Sequence, residues 1–270
     1  MPHISRATIA QLGRRSGRTF KGARYIHSLL GEVMIGDRNS DYVDPKDIVE
    51  LSGVKIVCRE KLYSQAIVNA LRDGSYEGGE RGVLPNLLHT GDRVVEVGSA
   101  LGCVTTLAAK IIGSENVKAF EANPLLIDDA LFNFSLNGVK PTLQNSILCN
   151  RVCWGGSGFT EPFYIHRDFW ASSMVDKPGT IDKLSIETCC FEDEIFKFHA
   201  NVLICDIEGG EIDLLTLADL RGIEKILLEI HYWAGREQIN KLVRKLILDG
   251  FTINFDLTFR SIVTLRRGLK

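Results

Sequence analysis

The sequence predicts an α/β domain with a doubly wound, mostly parallel β-sheet that ends in an antiparallel hairpin strand. From Arg93 onward, short β-branched runs, glycine turns and helical stripes alternate, which is the pattern of repeated βαβ units. Residues 251–257 instead alternate apolar and polar side chains, and an apolar run at 262–265 follows a tight turn. Because a hairpin joins antiparallel strands, one strand of the sheet is expected to run against the others.

The composition is that of an ordinary globular protein and excludes several classes. The 270 residues are 45% hydrophobic and 24% charged, with a formal net charge of −2. These values exclude collagen-like, disordered and disulfide-scaffold proteins. The near-neutral charge argues against a dedicated nucleic-acid binder, so no nucleic-acid partner is expected. No apolar stretch approaches the roughly 20 residues of a membrane span, so no transmembrane segment is expected.

The N-terminal segment differs in charge from the rest of the chain. Its first 31 residues contain six basic side chains and no acid. Residues 1–60 are therefore predicted to be a basic arm and a connection that precede a domain at 61–270. The preferred interpretation is a solvated arm or a first helix on an acidic body, with an Arg-rich transit peptide as the alternative. Seven scattered cysteines predict reduced thiols and a cytoplasmic protein.

The first predicted elements lead into the opening βαβ unit. An apolar stripe at residues 61–71 predicts a helix. Four glycines within residues 74–82 predict an irregular segment, which a short helix at 83–88 follows. Residues 94–97 are a β-branched run typical of a strand, and residues 104–112 are predicted to form a helix that ends at a glycine.

The later elements continue the alternation of strands and helices. Asn123 and Pro124 provide an N-cap and a first-turn proline for a helix that Asn137-Gly138 ends. The clearest helical stripe in the chain runs from residue 237 to residue 249. Further strands are predicted at 117–120, 143–149, 163–166, 202–205 and 226–230, and a further helix at 211–220.

The turn after the strand at 94–97 has the features of a cofactor-binding turn. Its sequence is Glu96-Val97-Gly98-Ser99-Ala100-Leu101-Gly102, which lacks the third glycine of a dinucleotide fingerprint and has an acid before its first glycine. Glu121 ends the next strand, where a carboxylate can accept the hydroxyls of a ribose. An acidic turn, the lack of a phosphate cradle and a ribose acid together fit S-adenosylmethionine, whose sulfonium and amino groups are positively charged.

Several segments form a set that occurs together in one protein family. They are Ser75-Tyr76-Glu77, residues 91–102, residues 119–124, Asn133, Asn137-Gly138, Ala171-Ser172-Ser173 and residues 206–211. The last segment has the pattern D-x-E-G-x-E and is the most specific. The set resembles the FkbM family of class I S-adenosylmethionine-dependent methyltransferases, and the resemblance covers somewhat more than half of the chain. Glu96 stands where that family usually has aspartate, and Ser99-Ala100 replace its usual Ala-Asn.

The resemblance implies a Rossmann-like, seven-stranded sheet whose last strand is antiparallel. It also implies O-methylation of a hydroxyl on a sugar or another small or oligomeric metabolite, with S-adenosylmethionine as the cofactor. Glu96, Gly98 and Gly102 are expected at the methionine end of the cofactor, Glu121 at the ribose, and a polar residue of Gln144-Asn145-Ser146 near the adenine. The candidate cofactor-binding residues are Glu96, Gly98, Ser99, Gly102, Glu121, Asn123 and Ser146.

Asp206, Glu208 and His231 are the candidate catalytic residues. Asp206 and Glu208 follow a buried strand at alternate positions, and two glycines after them allow close approach of a substrate. The two carboxylates are expected to position the acceptor, with His231 or Asp206 as the base.

Three further residues, Tyr76, Glu77 and Trp233, are candidates for contact with a small-molecule or glycan acceptor, since aromatic rings can stack on a sugar face. Two carboxylates at one strand end could also hold a divalent metal together with an acceptor diol. Nothing else in the sequence requires a metal, so no metal site is predicted.

Two other functions stay open on the sequence alone. A nicotinamide-dependent oxidoreductase or a nucleotide-sugar enzyme on a related fold would share the alternation of elements, but the missing third glycine and Glu96 disfavour it. A non-catalytic cofactor-binding interaction protein would use the basic arm to contact an anionic partner. The acceptor and the oligomeric state are left open.

Overall fold

The computed structural model describes residues 24–28, 31–35 and 44–268, which belong to two compact units, Met1–Val43 and Asp44–Lys270. In the first unit, β1 (Arg24–Ser28) and β2 (Gly31–Ile35) pair as an antiparallel hairpin. The predicted basic arm falls mostly outside the described residues.

The second unit contains a seven-stranded, a three-stranded and a two-stranded sheet in its described part. Its strands are β3 (Ile48–Leu51), β4 (Val54–Val57), β5 (Val94–Val97), β6 (Val117–Glu121), β7 (Thr142–Asn145), β8 (Ile147–Cys149), β9 (Thr160–His166), β10 (Thr180–Cys190), β11 (Val202–Cys205), β12 (Lys225–Glu229), β13 (Phe251–Ile253) and β14 (Ile262–Arg267). Its helices are α1 (Gln65–Asp73), α2 (Gly78–Leu87), α3 (Cys103–Ile112), α4 (Ile127–Leu136), α5 (Phe191–Phe198), α6 (Glu211–Leu217) and α7 (Arg236–Leu248).

The large sheet confirms the predicted Rossmann-like methyltransferase fold. Its strand order is β13-β14-β12-β11-β5-β6-β7, and β14 is antiparallel to both of its neighbours. The chain proceeds from β5 outward to β7 and then returns to β11, so the strand order reverses between β5 and β11. Val97 at the end of β5 is level with Phe120 and Cys205 on the adjacent strands. The turns that follow these strands therefore meet at one edge, where open α/β sheets bind ligands.

Both faces of the sheet are covered, which explains why β11 is wholly apolar and why β5 is apolar apart from Glu96. Val94 packs in a cluster with residues of α2, α3 and α4, whereas Val95 and Val97 pack in a second cluster with residues of α5, α6 and α7. Burial of one such side chain contributes about 1.5–3 kcal/mol to stability. The two apolar clusters thus fix the central strands and, with them, the position of the turns at their ends.

The hairpin of β3 and β4 belongs to the same compact unit as the large sheet. Leu51 and Ile56 lie in the cluster on the α2–α4 face. The side-chain oxygen of Asn133 in α4 accepts the backbone N–H of Val57 at 2.8 Å, and that of Asn137 accepts the N–H of Lys55 at 2.9 Å. The unit therefore begins at Asp44, whereas the sequence assigned residues up to 60 to the arm and connection.

Three helices begin more than one residue from their predicted starts. Helix α1 begins at Gln65 rather than at residue 61, and the side chain of Ser64 accepts the N–H of Ile67 as its N-cap. Helix α2 begins at Gly78, inside the glycine-rich segment that was expected to be irregular. A Cβ on Gly79 would lie 2.6 Å from Cγ1 of Ile262 in β14, so this glycine lets the helix approach the sheet. Helix α4 begins at Ile127 rather than at Pro124, because Asn123 accepts the N–H of Leu125 at 3.0 Å and closes a turn first.

Residues 141–198 form more regular structure than the sequence predicted. The strand expected at 143–149 is two strands, β7 in the large sheet and β8 in a three-stranded sheet with β9 and β10. Ser146 lies between them, and its hydroxyl donates to the carbonyl of Glu187 in β10 at 2.9 Å. Neither β10 nor α5 was predicted. Most of β10 is partly or fully exposed and polar, so it has no apolar run to reveal it.

The terminal hairpin is confirmed but its first strand is short. β13 ends at Ile253, and a 3₁₀ turn at Phe255–Leu257 replaces the predicted continuation. The carbonyl of Asn254 accepts hydrogen bonds from the hydroxyls of Thr258 at 2.8 Å and Thr264 at 3.2 Å.

Within the described residues, no helix has both the length and the apolar character needed to cross a membrane. All seven cysteines are free.

Candidate functional site

A cavity of about 1190 Å³ opens at the carboxyl ends of the central strands, where the strand order reverses. Its walls include the turns after β5, β6, β11 and β12, together with the start of α2 and residues of the three-stranded sheet. The predicted site residues that line it are Tyr76, Glu77, Gly98, Glu121, Ser146, Asp206, Glu208, His231 and Trp233. Tertiary structure thus brings together nine residues that are spread over 158 positions of the sequence.

Four other predicted cofactor residues, Glu96, Ser99, Gly102 and Asn123, are not among the residues that line the cavity. Gly102 has a φ of +73°, and a Cβ there would lie 2.5 Å from Cε1 of Phe134 in α4. Ser99 is fully buried. These residues shape the turns behind the cavity wall, and a direct role in cofactor binding stays a prediction for each of them.

Gly98 joins the turn after β5 to the turn after β11. Its φ is +89°, and a Cβ there would lie 1.8 Å from the carbonyl oxygen of Asp206. The N–H of Gly98 also donates to the carbonyl of Phe120 at 2.9 Å. The absence of a side chain at this position therefore allows three strand ends to approach one another.

Glu121 holds the turn after β5 through its carboxylate. One oxygen accepts the N–H of Ala100 at 2.8 Å, and the other accepts the N–H of Asn123 at 2.6 Å. Burial raises the pKa of Glu121, and the hydrogen bonds from Asn123 and Ala100 oppose that rise. Each carboxylate oxygen has a second acceptor site, so Glu121 can bind ligand hydroxyls while it keeps these backbone contacts.

Glu96 is buried beneath this turn and accepts the hydroxyl of Thr105 at 2.6 Å. Burial raises its pKa to about 8, and the hydrogen bond from Thr105 only partly offsets the rise. The side chain is therefore mostly protonated at neutral pH, which lets an acid occupy a strand interior without an ion partner.

His231 lies among three carboxylates that follow β11. Its Nδ1 is 3.1 Å from Oε1 of Glu211, and its Nε2 is 3.4 Å from Oε1 of Glu208 and 3.7 Å from Oδ1 of Asp206. Glu211 also accepts the N–H of Ile207 at 2.8 Å, which fixes its position at the start of α6. The segment after β11 and the end of β12 thus form one hydrogen-bonded unit.

The surroundings of His231 decide which of the two predicted bases is better suited. Burial alone would lower the pKa of His231, but Glu208, Glu211 and Asp206 together raise it to about 11. The imidazole then holds a proton at neutral pH and is a poor base. Burial, assisted by Glu229 and Glu80, raises the pKa of Asp206 well above its ordinary value. A protonated imidazole thus disfavours His231 as the base, and the role of Asp206 as proton acceptor stays a prediction.

Glu80 and Glu229 line the cavity and Lys177 contacts residues of its wall, and none of the three was among the predicted site residues. Glu80 in α2 is 5% exposed, and its burial and the nearby Glu229 raise its pKa to about 7. Nζ of Lys177 lies 3.8 Å from Oε2 of Glu208 and 3.9 Å from the ring centre of Trp233. The sequence could have indicated Glu229, because this residue lies at a strand end two positions before His231. No sequence pattern indicated Glu80, because its segment was predicted to be irregular.

The three predicted acceptor contacts lie in two places on the cavity wall. Tyr76 is buried and stacks on Trp170 with ring centres 6.5 Å apart. Its hydroxyl interacts with the carboxyl of Glu77, whose pKa is raised well above its ordinary value by burial. Trp233 covers Gly209, where a Cβ would lie 2.3 Å from the indole ring.

The chain matches known proteins only in part, and no family model matches it. It is 35% identical over 68 residues to the ribosomal protein L11 methyltransferase of Geobacillus thermodenitrificans (strain NG80-2), which is 24% of this chain and 22% of the relative. The chain thus matches less than a quarter of that relative's length.

Two solved structures have a similar arrangement. The ribosomal protein L11 methylase from Lactobacillus delbrueckii subsp. bulgaricus is 15% identical with a TM-score of 0.43, over 72% of this chain and 80% of that one. The magnesium protoporphyrin IX methyltransferase from Synechocystis PCC 6803 with bound SAM is 14% identical with a TM-score of 0.41, over 76% of this chain and 85% of that one.

Proposed function

We propose that this chain is an S-adenosylmethionine-dependent methyltransferase of the FkbM type that methylates a hydroxyl oxygen of a sugar or another small or oligomeric metabolite. The observation that carries the proposal is the cavity at the strand reversal, in which Glu121 and Gly98 face a D-x-E-G-x-E turn. The short match to ribosomal protein L11 methyltransferases supports the reaction class.

The residues of the cavity fit S-adenosylmethionine in charge and in hydrogen bonding. Glu121 lies where it can accept ribose hydroxyls, and Ser146 lies on the cavity wall beside it. Glu77 also lines the cavity, where its carboxyl can contact the amino group of the cofactor. When bound, the cofactor supplies an electrophilic methyl group on its sulfonium.

The chain's own residues then have three tasks. Asp206, which lines the cavity beside Glu208, accepts the proton of the acceptor hydroxyl. His231, charged and held between Glu208 and Glu211, keeps this segment in place. Trp233 provides an aromatic surface at the cavity rim, against which a sugar face can stack. Alignment of the acceptor supplies up to about 7–11 kcal/mol of barrier reduction in favourable cases.

The first test is ligand binding by the full chain. We expect S-adenosylmethionine and its demethylated product to raise the thermal midpoint, and NAD and NADP to leave it unchanged. Stabilisation by NAD or NADP alone would reject the proposal in favour of an oxidoreductase or a nucleotide-sugar enzyme.

The second test is turnover with radiolabelled cofactor against a panel of sugars, lipid-linked glycans and a ribosomal protein. We expect label on a hydroxylated acceptor, and Asp206→Asn to reduce the rate at least about 100-fold while cofactor affinity is kept. Label on the ribosomal protein alone would contradict O-methylation of a metabolite. Cofactor binding without transfer to any acceptor would indicate a non-catalytic cofactor-binding protein.

A further inference from the structure

We propose that Asp206, Glu229 and His231 bind a divalent metal ion at the carboxyl ends of β11 and β12. Each residue offers one ligand atom, and the three atoms lie within 4.8 Å of one another. Ligands of one ion at bond lengths of about 2.0–2.3 Å lie at most about 4.6 Å apart, so small movements would complete the site. Two carboxylates and one imidazole suit a first-row divalent ion such as Mn²⁺.

His231 is oriented as a metal ligand by a residue outside the three. Its Nδ1 contacts the buried carboxylate of Glu211 at 3.1 Å, and Glu211 is itself fixed by the N–H of Ile207. This contact directs Nε2 toward Asp206 and Glu208. Histidine ligands of metal ions generally donate their second ring N–H to a carboxylate in this manner, which fixes the ring. A metal ion would replace the Nε2 proton of the charged imidazole, so His231 would release that proton on binding the ion.

Asp206 provides an independent indication of a missing ligand. Its Oδ1 is fully buried and has no hydrogen-bond partner among the described residues. The nearest cationic atom, Nε2 of His231, is 3.7 Å away, which is too far for a hydrogen bond. A buried carboxylate oxygen without a partner is costly, and a cation in the cavity would satisfy it.

The charge of the surrounding wall also favours a cation. Five carboxylates line or support this part of the cavity, namely Glu80, Asp206, Glu208, Glu211 and Glu229. In the described part of the chain, the cations that form ion pairs with them are His231 and Lys177. The carboxylates therefore outnumber the cations that pair with them, and a divalent ion would offset most of the excess negative charge.

The metal site would narrow the class of acceptor, an extension that rests on the proposed function. An ion held by three protein ligands keeps further coordination positions for oxygen atoms of a substrate. If bound there, a divalent ion would lower the pKa of a hydroxyl that it holds, and the second oxygen of Asp206 would remain to accept that proton. The preferred acceptor would then carry two adjacent hydroxyls.

The test measures Mn²⁺ binding to the full chain, freed of metal with a chelator, by the loss of the free-ion electron paramagnetic resonance signal. We expect one ion per chain, and at least a tenfold loss of affinity in Asp206→Asn and Glu229→Gln. Glu161→Gln makes the same charge change on β9, elsewhere in the cavity wall, and should change the affinity less than twofold. Circular dichroism melting establishes that each variant is folded.

A nitrogen signature gives a second readout. Pulsed spectroscopy of the Mn²⁺ complex should show coupling to one imidazole nitrogen in the wild-type chain and in Glu161→Gln, and none in His231→Ala. Absence of stoichiometric binding by the folded wild-type chain, or equal weakening in Glu161→Gln, would overturn the metal site.

The test of the metal site can fail independently of the proposed function, because binding of S-adenosylmethionine is measured separately, with a chelator present and no metal added. Cofactor binding without Mn²⁺ binding rejects only the metal site. Mn²⁺ binding without cofactor binding leaves the metal site in place and rejects the methyltransferase.

Discussion

Gly98 lies so close to Asp206 that a Cβ on the glycine would be 1.8 Å from the aspartate's carbonyl oxygen. This contact joins the proposed cofactor turn after β5 to the proposed catalytic segment after β11. The two segments are more than 100 positions apart in the sequence. The position of the proposed proton acceptor relative to the cofactor turn thus depends on one residue without a side chain.

Gly98→Ala should therefore damage both stability and cofactor binding. The added methyl group collides with backbone, and the φ of +89° is unfavourable for alanine. We expect the free energy of unfolding to fall by about 2–5 kcal/mol in denaturant titrations. As a control, Gly82→Ala places a methyl group in α2 with no atom within 4 Å. It should raise stability by about 0.5–1 kcal/mol. Equal effects of the two substitutions would contradict this explanation.

Glu121→Gln should weaken cofactor binding at least about tenfold. The amide group retains one acceptor oxygen, but its NH₂ would face a backbone N–H, either that of Ala100 or that of Asn123. The turn and the ribose contact are then both disturbed. Isothermal titration with S-adenosylmethionine measures the effect. Glu115→Gln, an exposed change before β6, should leave the affinity unchanged. Unaltered affinity in Glu121→Gln would remove this residue from the site.

Glu96 should make stability depend on pH in a defined direction. Burial raises its folded-state pKa from 4.5 to about 8, so the folded chain keeps a proton that the unfolded chain releases between these values. Its contribution to stability is therefore present below pH 4.5 and is lost as the pH rises toward 8. Glu96→Gln removes this loss.

The measurement is urea unfolding of wild type and Glu96→Gln across that pH range. The variant should gain stability relative to wild type as the pH rises, by an amount on the order of a few kcal/mol at the upper end. A difference that stays constant with pH would show that Glu96 does not titrate in this way.

Trp233→Ala should affect acceptor binding more than the chemical step. The indole lies over Gly209 and contacts Lys177, at the rim of the cavity and away from the proposed ribose acid. Steady-state kinetics with an identified acceptor should show KM raised about tenfold and kcat changed by less than about threefold. Phe255→Ala removes an exposed aromatic ring outside the cavity and should change neither constant. A lowered kcat with an unchanged KM in Trp233→Ala would contradict an acceptor-binding role.

Local sequence patterns determined the central strands and the order of the elements. Residues 202–205 are an uninterrupted apolar run, and residues 94–97 are β-branched apart from Glu96. Such runs are typical of parallel strands covered on both faces and are visible without structure. The antiparallel strand at 262–267 followed from the alternation before it. The acid at Glu121 was placed by the same logic, since it ends a strand.

Tertiary structure alone decided features whose cause lies elsewhere in the chain. Gly79 was expected to interrupt a helix, but it lies inside α2. The glycine is needed there because a side chain would collide with Ile262 of β14. Gly102 was predicted as part of a cofactor turn, but the structure shows a packing reason for the glycine. A side chain there would collide with the ring of Phe134 in the neighbouring helix. The raised pKa of His231 follows from carboxylates gathered on two strand ends.

The sequence by itself thus determined the sheet, its antiparallel strand and the residues at the strand ends, because periodicity and turn chemistry act over a few neighbouring positions. Only the tertiary structure decided that Glu80 and Glu229 join Asp206 and His231, and that His231 is charged rather than a free base. The physical reason is that burial and charge are properties of the space around a side chain. That space is filled by segments that the local pattern does not connect.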